Sequence, residues 1–397
     1  MVKLHKSLAQ WLSQLETSHN KKIDLGLDRV RSVYDNLKIN KLADTIITVA
    51  GTNGKGSTVA ILTSICHQAG LKVGSFTSPH LVVFNERITI NKKQVSDDEI
   101  INALEKIEEN LNGISLSYFE YATLAALLVF KSHDVDVAIL EVGLGGRLDS
   151  VNVVDTDCAI ITTIDIDHTD WLGDNIESIA YEKAGIMRTN KATIFGDSPC
   201  PKSIINHAKK INSQLILSDP TIVIQSTNLE GDYQLKNIRT ALTALNTLNL
   251  PITAQDISKG LNNIKLKGRL QTISHKPDVI IDVSHNKQAA KELAKWLKNN
   301  PVSGRTLAVF SVLEDKKFTE WLPMFETLID VWCVSQIDNY RAIKRQDLII
   351  SLANTAQLIT SYDGITHAFK GAKIMSNDND RIIVFGSFYT VGEVLAC

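Results

Sequence analysis

The residues best placed to do chemistry are Gly51-Thr52-Asn53-Gly54-Lys55-Gly56-Ser57-Thr58. Glycines at these positions let the backbone fold back so that its N–H groups face inward. Such a turn at the positive end of a helix binds phosphate oxygens. Lys55 has the reach to touch β- and γ-phosphates, and a Ser57 or Thr58 hydroxyl can hold Mg²⁺. The spacing departs from the general G-x-x-x-x-G-K-S/T pattern. Val49 stands where its first glycine belongs, and Gly56 separates Lys55 from Ser57. That excludes the loop of a generic kinase or helicase, and leaves a tight turn of small residues as the bland alternative.

A second set of candidates follows other apolar runs. Ser78-Pro79-His80 comes after Lys72–Phe76. Glu141 ends Val135–Leu140, just before Gly143-Leu144-Gly145-Gly146-Arg147. Asp165, Asp167, His168 and Asp170 follow Ala159–Ile164. Ligands of open α/β sheets bind beyond the carboxyl ends of strands. A hydroxyl and a carboxylate are hard ligands for Mg²⁺, whereas imidazole suits Mn²⁺ equally well. Taken singly, each has another reading: Ser78 could start a turn, His168 could cap one, and Glu141 could pair with Arg147. Together, beside a phosphate loop, they favour a metal–nucleotide site. Lys183, in Glu182-Lys183-Ala184-Gly185-Ile186, reads on spacing alone as a solvated lysine.

These groups must be positioned by strands and helices in alternation. Thr45–Ala50 is rich in β-branched residues and reads as a strand. Val59, Leu62, Ile65, Cys66 and Ala69 then recur at helical spacing, with Gly70 as C-cap. Lys72–Phe76, Val135–Val142 and Ala159–Ile164 are apolar runs of strand length. Ser96 and Glu99 stand at capping-box spacing, and Tyr118–Ser132 reads as a buried helix. A further series predicts strands at Val279–Val283, Thr306–Val312, Val331–Ser335 and Arg381–Phe385. Helices are expected between them at Lys287–Lys298, Phe318–Leu328, Gln346–Asn354 and Ile365–Met375. Alternation of this kind predicts an α/β fold: a P-loop-containing, doubly wound, mostly parallel sheet, plus a C-terminal Rossmann-like α/β domain. The polar stretch Leu261–Arg269 is the candidate hinge, giving domains 1–268 and 269–397.

Composition bounds the rest. The 397 residues exceed one ordinary core and favour two domains. With 42 Lys plus Arg against 44 Asp plus Glu, the net charge is −2, so no global basicity recruits nucleic acid or an anionic membrane. The longest apolar run, Tyr121–Phe130, is about half the ~20 residues a membrane span needs. The N-terminal stretch has no signal-peptide pattern and reads as an amphipathic helix, with Leu4, Leu8, Trp11, Leu12 and Leu15 on one stripe. The five cysteines, Cys66, Cys158, Cys200, Cys333 and Cys397, are unpaired in spacing and read as buried thiols of a reducing compartment. A soluble, cytoplasmic chain is expected.

With these motifs assembled, the sequence resembles the bacterial bifunctional dihydrofolate synthase/folylpolyglutamate synthase family, within the Mur ligase superfamily. The resemblance runs in order through Ile23–Val30, Gly51–Thr58, Ser78–Leu81, Asn85–Ile88, Ser115–Tyr121, Leu140–Asp149, Asp167–Gly173, Glu182–Ile186, Asp282–Asn286 and Gly386–Phe388. It implies a first domain of the Mur ligase central-domain type. It also implies ATP-dependent joining of L-glutamate to dihydropteroate and to reduced folates through an acyl phosphate, by a monomer that binds neither nucleic acid nor membrane. ATP is implied to contact Gly51, Thr52, Asn53, Gly54, Lys55, Gly56, Ser57, Asn237, Arg269 and Asp282. Mg²⁺ is implied at Ser57, Ser78, Glu141 and His168. Lys55, Lys183 and His168 are implied to carry catalysis, Lys183 as its N-carboxylated form. The pterin substrate is implied to meet Asp24, Leu25, Gly26, Leu27, Ser117, Tyr118, Phe119, Glu120, Leu148, Asp149 and Ser150. The flat apolar faces of Tyr118 and Phe119 suit a pterin ring. Three departures from the family pattern are local: Lys287 follows Asn286 in place of proline, Arg269 sits in Lys-Gly-Arg-Leu, and Asn237 precedes Ile-Arg.

Overall fold

The structure is a computed structural model that describes residues 6–21, 23–353 and 355–397. Leu4 and Asn354, named above, lie outside them. The chain divides into two compact units. One comprises the described residues up to His80, with Phe84–Leu229 and Gln234–Ile264. The other comprises Leu81–Val83, Glu230–Tyr233 and Lys265–Cys397.

The first unit is built on strands β1 (Thr45–Ala50), β2 (Val73–Phe76), β3 (Ile88–Ile90), β4 (Lys93–Gln94), β5 (Val137–Glu141), β6 (Cys158–Ile161), β7 (Ala192–Phe195) and β8 (Gln214–Leu217). They form one sheet in the order β4-β3-β2-β5-β1-β6-β7-β8. All pairings from β2 to β8 are parallel, and β3 and β4 add an antiparallel edge. β1 lies between β5 and β6, and β2 flanks β5. Because these four strands run the same way, the segments that follow them open at one edge of the sheet. Residues distant in sequence thus meet there.

Burial explains the local sequences. β5 and β6 are buried along their whole length, as expected for parallel strands covered on both faces. The helix Tyr118–Ser132 is buried at every residue from Glu120 to Phe130 and is accordingly apolar all round. Its start is fixed by a capping box in which the Ser117 hydroxyl accepts from the Glu120 N–H and the Glu120 carboxylate accepts from the Ser117 N–H. Ser96 and Glu99 cap the helix Asp97–Glu108 in the same way. The helix Lys55–Gln68 ends just before Gly70, whose φ of +83° suits glycine. The N-terminal helix spans Leu8–Leu15, with Leu8, Trp11 and Leu15 buried.

The second unit carries β9 (Gln271–His275), β10 (Asp278–Ile281), β11 (Thr306–Phe310), β12 (Val331–Ser335), β13 (Leu358–Tyr362) and β14 (Arg381–Phe385), in the order β13-β12-β11-β14-β10-β9. Only the β9–β10 pairing is antiparallel. The helix Lys287–Asn299 is capped by the Asn286 side chain, which accepts from the Ala289 N–H at 3.0 Å. Lys287 is its first residue, a position whose N–H has no partner inside the helix.

Several expectations need correction. Phe318–Leu328 is not one helix but two short 3₁₀ turns, Phe318–Glu320 and Leu322–Phe325. Pro323 cannot donate within a helix, and the positive φ of Lys317 bars a regular entry. The apolar period survives because Phe318, Trp321, Leu322 and Phe325 are still buried. The strands β9 and β13 and the helix Phe388–Leu395 carry weaker alternation and escaped the pattern reading. Of the cysteines, Cys66, Cys158 and Cys333 are buried, Cys200 is half-buried and Cys397 is exposed. Cys397 lies beyond the helix Phe388–Leu395, its thiol 3.2 Å from the Thr366 hydroxyl. Burial pushes the Cys66 and Cys158 thiols up to about 12, so both stay protonated. Among the described residues no helix is long and apolar enough to cross a membrane.

Phe310 centres the second core. Its ring lies 5.0 Å from Phe385, 5.4 Å from Trp332 and 6.0 Å from Trp321. Phe310→Ala should destabilise this unit by about 3–5 kcal/mol. Urea unfolding followed by tryptophan fluorescence should show the loss as an earlier transition.

Candidate active site

The loop after β1 takes its shape from its glycines. Gly51 has φ +146°, and a Cβ there would fall 1.8 Å from Thr162 Oγ1. Gly54 has φ +86°, and its Cβ would fall 2.4 Å from Asn237 Oδ1. The end of β6 holds the loop from the other side. Thr52 N–H donates to Thr163 O at 2.8 Å, and Asn53 N–H to Thr163 Oγ1 at 3.1 Å. The Thr162 hydroxyl donates to Asn53 O at 2.6 Å, and the Thr52 hydroxyl to Asp165 O at 3.1 Å. Ser57, in the first turn of the helix Lys55–Gln68, is buried.

Two lysines converge on one carbonyl. Lys55 Nζ donates to Gly51 O at 3.0 Å, and Lys183 Nζ donates to the same oxygen at 3.0 Å. Lys183 is not the solvated lysine its spacing suggested. It is buried at the end of the helix Ile176–Ala184. Burial, aided by the charge of Lys55 and opposed by Asp167 and Asp149, lowers its pKa to about 7. Burial likewise raises Asp149 to about 6, although its carboxylate accepts from the Leu144 and Val151 N–H groups at 2.8 and 3.0 Å. Around these groups lies a small pocket lined by Gly51, Thr52, Lys55, Val142–Gly145, Asp167, His168, Leu172 and Lys183.

The oxygen donors expected at a metal stand at the same edge. Glu141, buried at the end of β5, accepts from the Ser78 N–H at 3.2 Å. A Cβ on Gly56 would lie 3.6 Å from Glu141 Oε2, in ordinary contact, which places the carboxylate directly beside the loop. His168 has φ +53° and begins the short helix Thr169–Leu172, yet its side chain makes no capping bond. Arg147 pairs with Glu182 at 2.8 Å rather than with Glu141. The expected pairing of Glu141 with Arg147 is therefore replaced by another, whereas His168 does cap the turn before Trp171, its carbonyl accepting from the Trp171 and Leu172 N–H groups at 3.0 and 3.1 Å. A buried carboxylate and hydroxyl beside a phosphate-type loop fit a hard divalent cation.

The residues expected at the pterin form a connected group. Gly26 N–H donates to Leu148 O at 3.2 Å. The Asp24 carboxylate is held by Arg29 at 2.8 Å and His19 at 3.0 Å. Arg29 also donates to Glu120 at 3.2 Å. Phe119 packs on Phe76 at 5.8 Å, and a Cβ on Gly143 would strike its ring at 2.5 Å. Tyr118 meets Phe84 edge-on at 6.0 Å, and the Arg87 guanidinium lies 5.6 Å from both rings. The Ser150 hydroxyl pairs with Thr123 at 2.7 Å. Arg29, Arg87, Thr162 and Thr163 were not singled out from the sequence. Arg29 and Arg87 lie inside matched stretches, but charge alone gives no signal of a stacked or bridging role.

Asn237 belongs to the first unit and faces Gly54, as given above. Arg269 and Asp282 belong to the second unit. The Arg269 guanidinium lies 5.2 Å over the Phe388 ring. The Asp282 carboxylate is buried and accepts from the Leu270 N–H at 2.9 Å, the Ser284 N–H at 2.9 Å and the Ser284 hydroxyl. Burial raises its pKa despite these bonds.

Residues 49–253 match the model of the Mur ligase middle domain, and residues 268–388 that of the Mur ligase, glutamate ligase domain. The glycine loop, the paired lysines and these two domains define an ATP-dependent ligase of the Mur type. A dihydrofolate synthase/folylpolyglutamate synthase from Escherichia coli K12 is 40% identical over 98% of this chain and 94% of its own length. One from Haemophilus influenzae is 37% identical over 100% and 98%. The chain belongs to the dihydrofolate synthase/folylpolyglutamate synthase family. Among solved structures, E. coli FolC in complex with DHPP and ADP superposes with a TM-score of 0.93 at 38% identity, covering 98% of this chain and 97% of that one. The Yersinia pestis bifunctional enzyme complexed with AMPPNP and Mn ion gives 0.91 at 38% identity, covering 98% of each.

Gly54→Ala should weaken nucleotide binding by at least about tenfold, since side chains at positive φ cost about 1–3 kcal/mol and the Cβ collides with Asn237. Calorimetric titration with ADP checks this.

Proposed function

We propose that the cleft beyond β1, β5 and β6 is where ATP activates a pteroyl carboxylate for attack by glutamate. The chain is an ATP-dependent ligase that joins L-glutamate to dihydropteroate, giving dihydrofolate, and to folates, extending their glutamate tail. The observation that carries the assignment of the site is the convergence of Lys55 and Lys183 on the Gly51 carbonyl, inside a glycine loop flanked by Glu141 and His168.

A carboxylate is a poor electrophile because an amine cannot expel oxide from it. Transfer of the ATP γ-phosphoryl group to the carboxylate oxygen gives an acyl phosphate, and ADP leaves. The glutamate amine then attacks the acyl carbon; the amide forms, the C–O bond to phosphate breaks, and the amine proton is lost to solvent or base. The protein's part is to hold the reactants in line and neutralise the moving charge. The loop N–H groups and Lys55 hold the phosphates, and Asn237 sits against the loop. Ser57, Ser78, Glu141 and His168 would hold a divalent cation, Mg²⁺ in this reading, whose chemistry is to screen phosphate charge. The relatives' structures contain Mn with AMPPNP, and one also contains L-glutamate, which supports the pairing of metal and triphosphate. The second domain, taken as 269–397, carries Arg269 and Asp282.

With its pKa lowered to about 7 by burial, Lys183 can supply a neutral amine, which adds CO₂ to give a carbamate and a proton. The resulting anion would suit a place beside metal-bound phosphate. The pteroyl group would lie against Tyr118 and Phe119, between Asp24–Leu27, Ser117–Glu120 and Leu148–Ser150. The protein acts as a monomer in the cytoplasm in this reading.

The test is phosphate release with ATP and glutamate, adding dihydropteroate or tetrahydrofolate in parallel. Release with both is expected. Release with tetrahydrofolate alone would remove the synthase half. Lys55→Ala should lower turnover by about 100- to 1,000-fold, the cost of losing one preorganised charge-stabilising donor. ¹³C NMR in labelled bicarbonate should show a carbamate signal that Lys183→Ala abolishes; the same signal in both proteins would place the carbamate elsewhere.

A further inference from the structure

The loop that follows β5 and the helix end bearing Lys183 meet backbone to backbone. A Cβ on Gly146 would lie 2.9 Å from Glu182 O and 3.1 Å from Lys183 Cα, and one on Gly185 would lie 2.3 Å from Arg147 Cβ. Arg147 fastens this contact. Its N–H donates to Glu182 O at 2.7 Å. Its guanidinium donates twice to Glu182 Oε1, at 2.8 and 3.3 Å, and lies 5.6 Å over the Tyr181 ring. The Asn152 amide ties the same two segments together, donating to Arg147 O at 3.1 Å and Gly185 O at 3.0 Å. The loop is also tied to the expected pterin side. Asp149 N–H donates to Gly146 O at 3.2 Å, and Gly26 N–H donates to Leu148 O at 3.2 Å.

We propose that Arg147 is a positioning residue for Lys183, clamping the lysine's helix to the loop that carries Leu148–Ser150. The inference rests on the roles given to Lys183 and Leu148–Ser150 in the proposed function. The side chains of Arg147 and Glu182 are 41% and 18% exposed. An ion pair so placed adds little to folding stability. Its geometric effect is larger, because Glu182 directly precedes Lys183 in the chain. A misplacement of about 1 Å at a reacting group can cost about 100-fold in rate. The same clamp links the substrate loop to the lysine, so a shift of one segment is felt by the other.

Steady-state kinetics of Arg147→Ala, Glu182→Ala and the double variant test this, alongside Lys183→Ala and thermal melts. Arg147→Ala should lower kcat about 10- to 100-fold, leave KM for ATP within about twofold, and keep Tm close to wild type. The double variant should be no slower than the slower single one, because one contact is removed in each case. Arg147→Lys keeps the charge but not the two-pronged geometry, and should recover part of the rate. Wild-type kcat in Arg147→Ala while Lys183→Ala is inactive overturns the proposal and leaves the role of Lys183 standing. Losses that multiply in the double variant, or a fall in kcat matched by a collapsed Tm with no recovery in Arg147→Lys, also overturn it. Wild-type turnover by Lys183→Ala removes both this proposal and the role of Lys183.

Discussion

One backbone oxygen organises the site. The Gly51 carbonyl accepts from both Lys55 and Lys183, each at 3.0 Å, and Lys183 is buried where it does so. Two ammonium groups drawn to one acceptor repel each other, and burial penalises the charge of the second. The consequence, burial first and the charge of Lys55 second, is a lysine whose pKa falls to about 7. The carbonyl can point this way only because Gly51 takes a backbone conformation that a side chain would block against Thr162. A single glycine thus fixes both the cradle for phosphate and the electrostatics of the lysine beside it.

Sheet topology supplies everything else to that point. With β1 between β5 and β6, and β2 beyond β5, the glycine loop, Ser78, Glu141 and the Thr162–His168 segment all leave the sheet at one edge. The hydroxyls of Thr162 and Thr163 and the carbonyls of Thr163 and Asp165, beyond the end of β6, hold the loop. The same edge carries Phe119, packed on Gly143, and the Leu148–Ser150 loop bonded to Gly26. The glycine loop and an aromatic surface are therefore presented at one edge by neighbouring segments.

Much of this was legible in the sequence because it rests on short-range rules. β1 follows from a β-branched run, the helix Tyr118–Ser132 from an apolar block with a capping box, and the phosphate loop from its glycines. What escaped depends on partners distant in sequence. Lys183 reads as a surface lysine until the fold buries it against Gly51. Arg29 and Arg87 reveal their roles only where Glu120 or the rings of Phe84 and Tyr118 approach them. The helix expected at Phe318–Leu328 broke into turns because Pro323 outweighs an otherwise good apolar period. The antiparallel strand β9 escaped because an edge strand is only partly buried and shows little alternation.

A crystal of the protein grown with a non-hydrolysable ATP analogue and Mn²⁺, measured at the manganese absorption edge, tests the central claim most directly. The triphosphate should lie in the Gly51–Ser57 loop, with the anomalous peak beside Glu141 and the γ-phosphate facing Lys183. Triphosphate density away from that loop, or a metal peak remote from Glu141 and His168, would contradict the assignment of this cleft as the place where phosphorus is transferred.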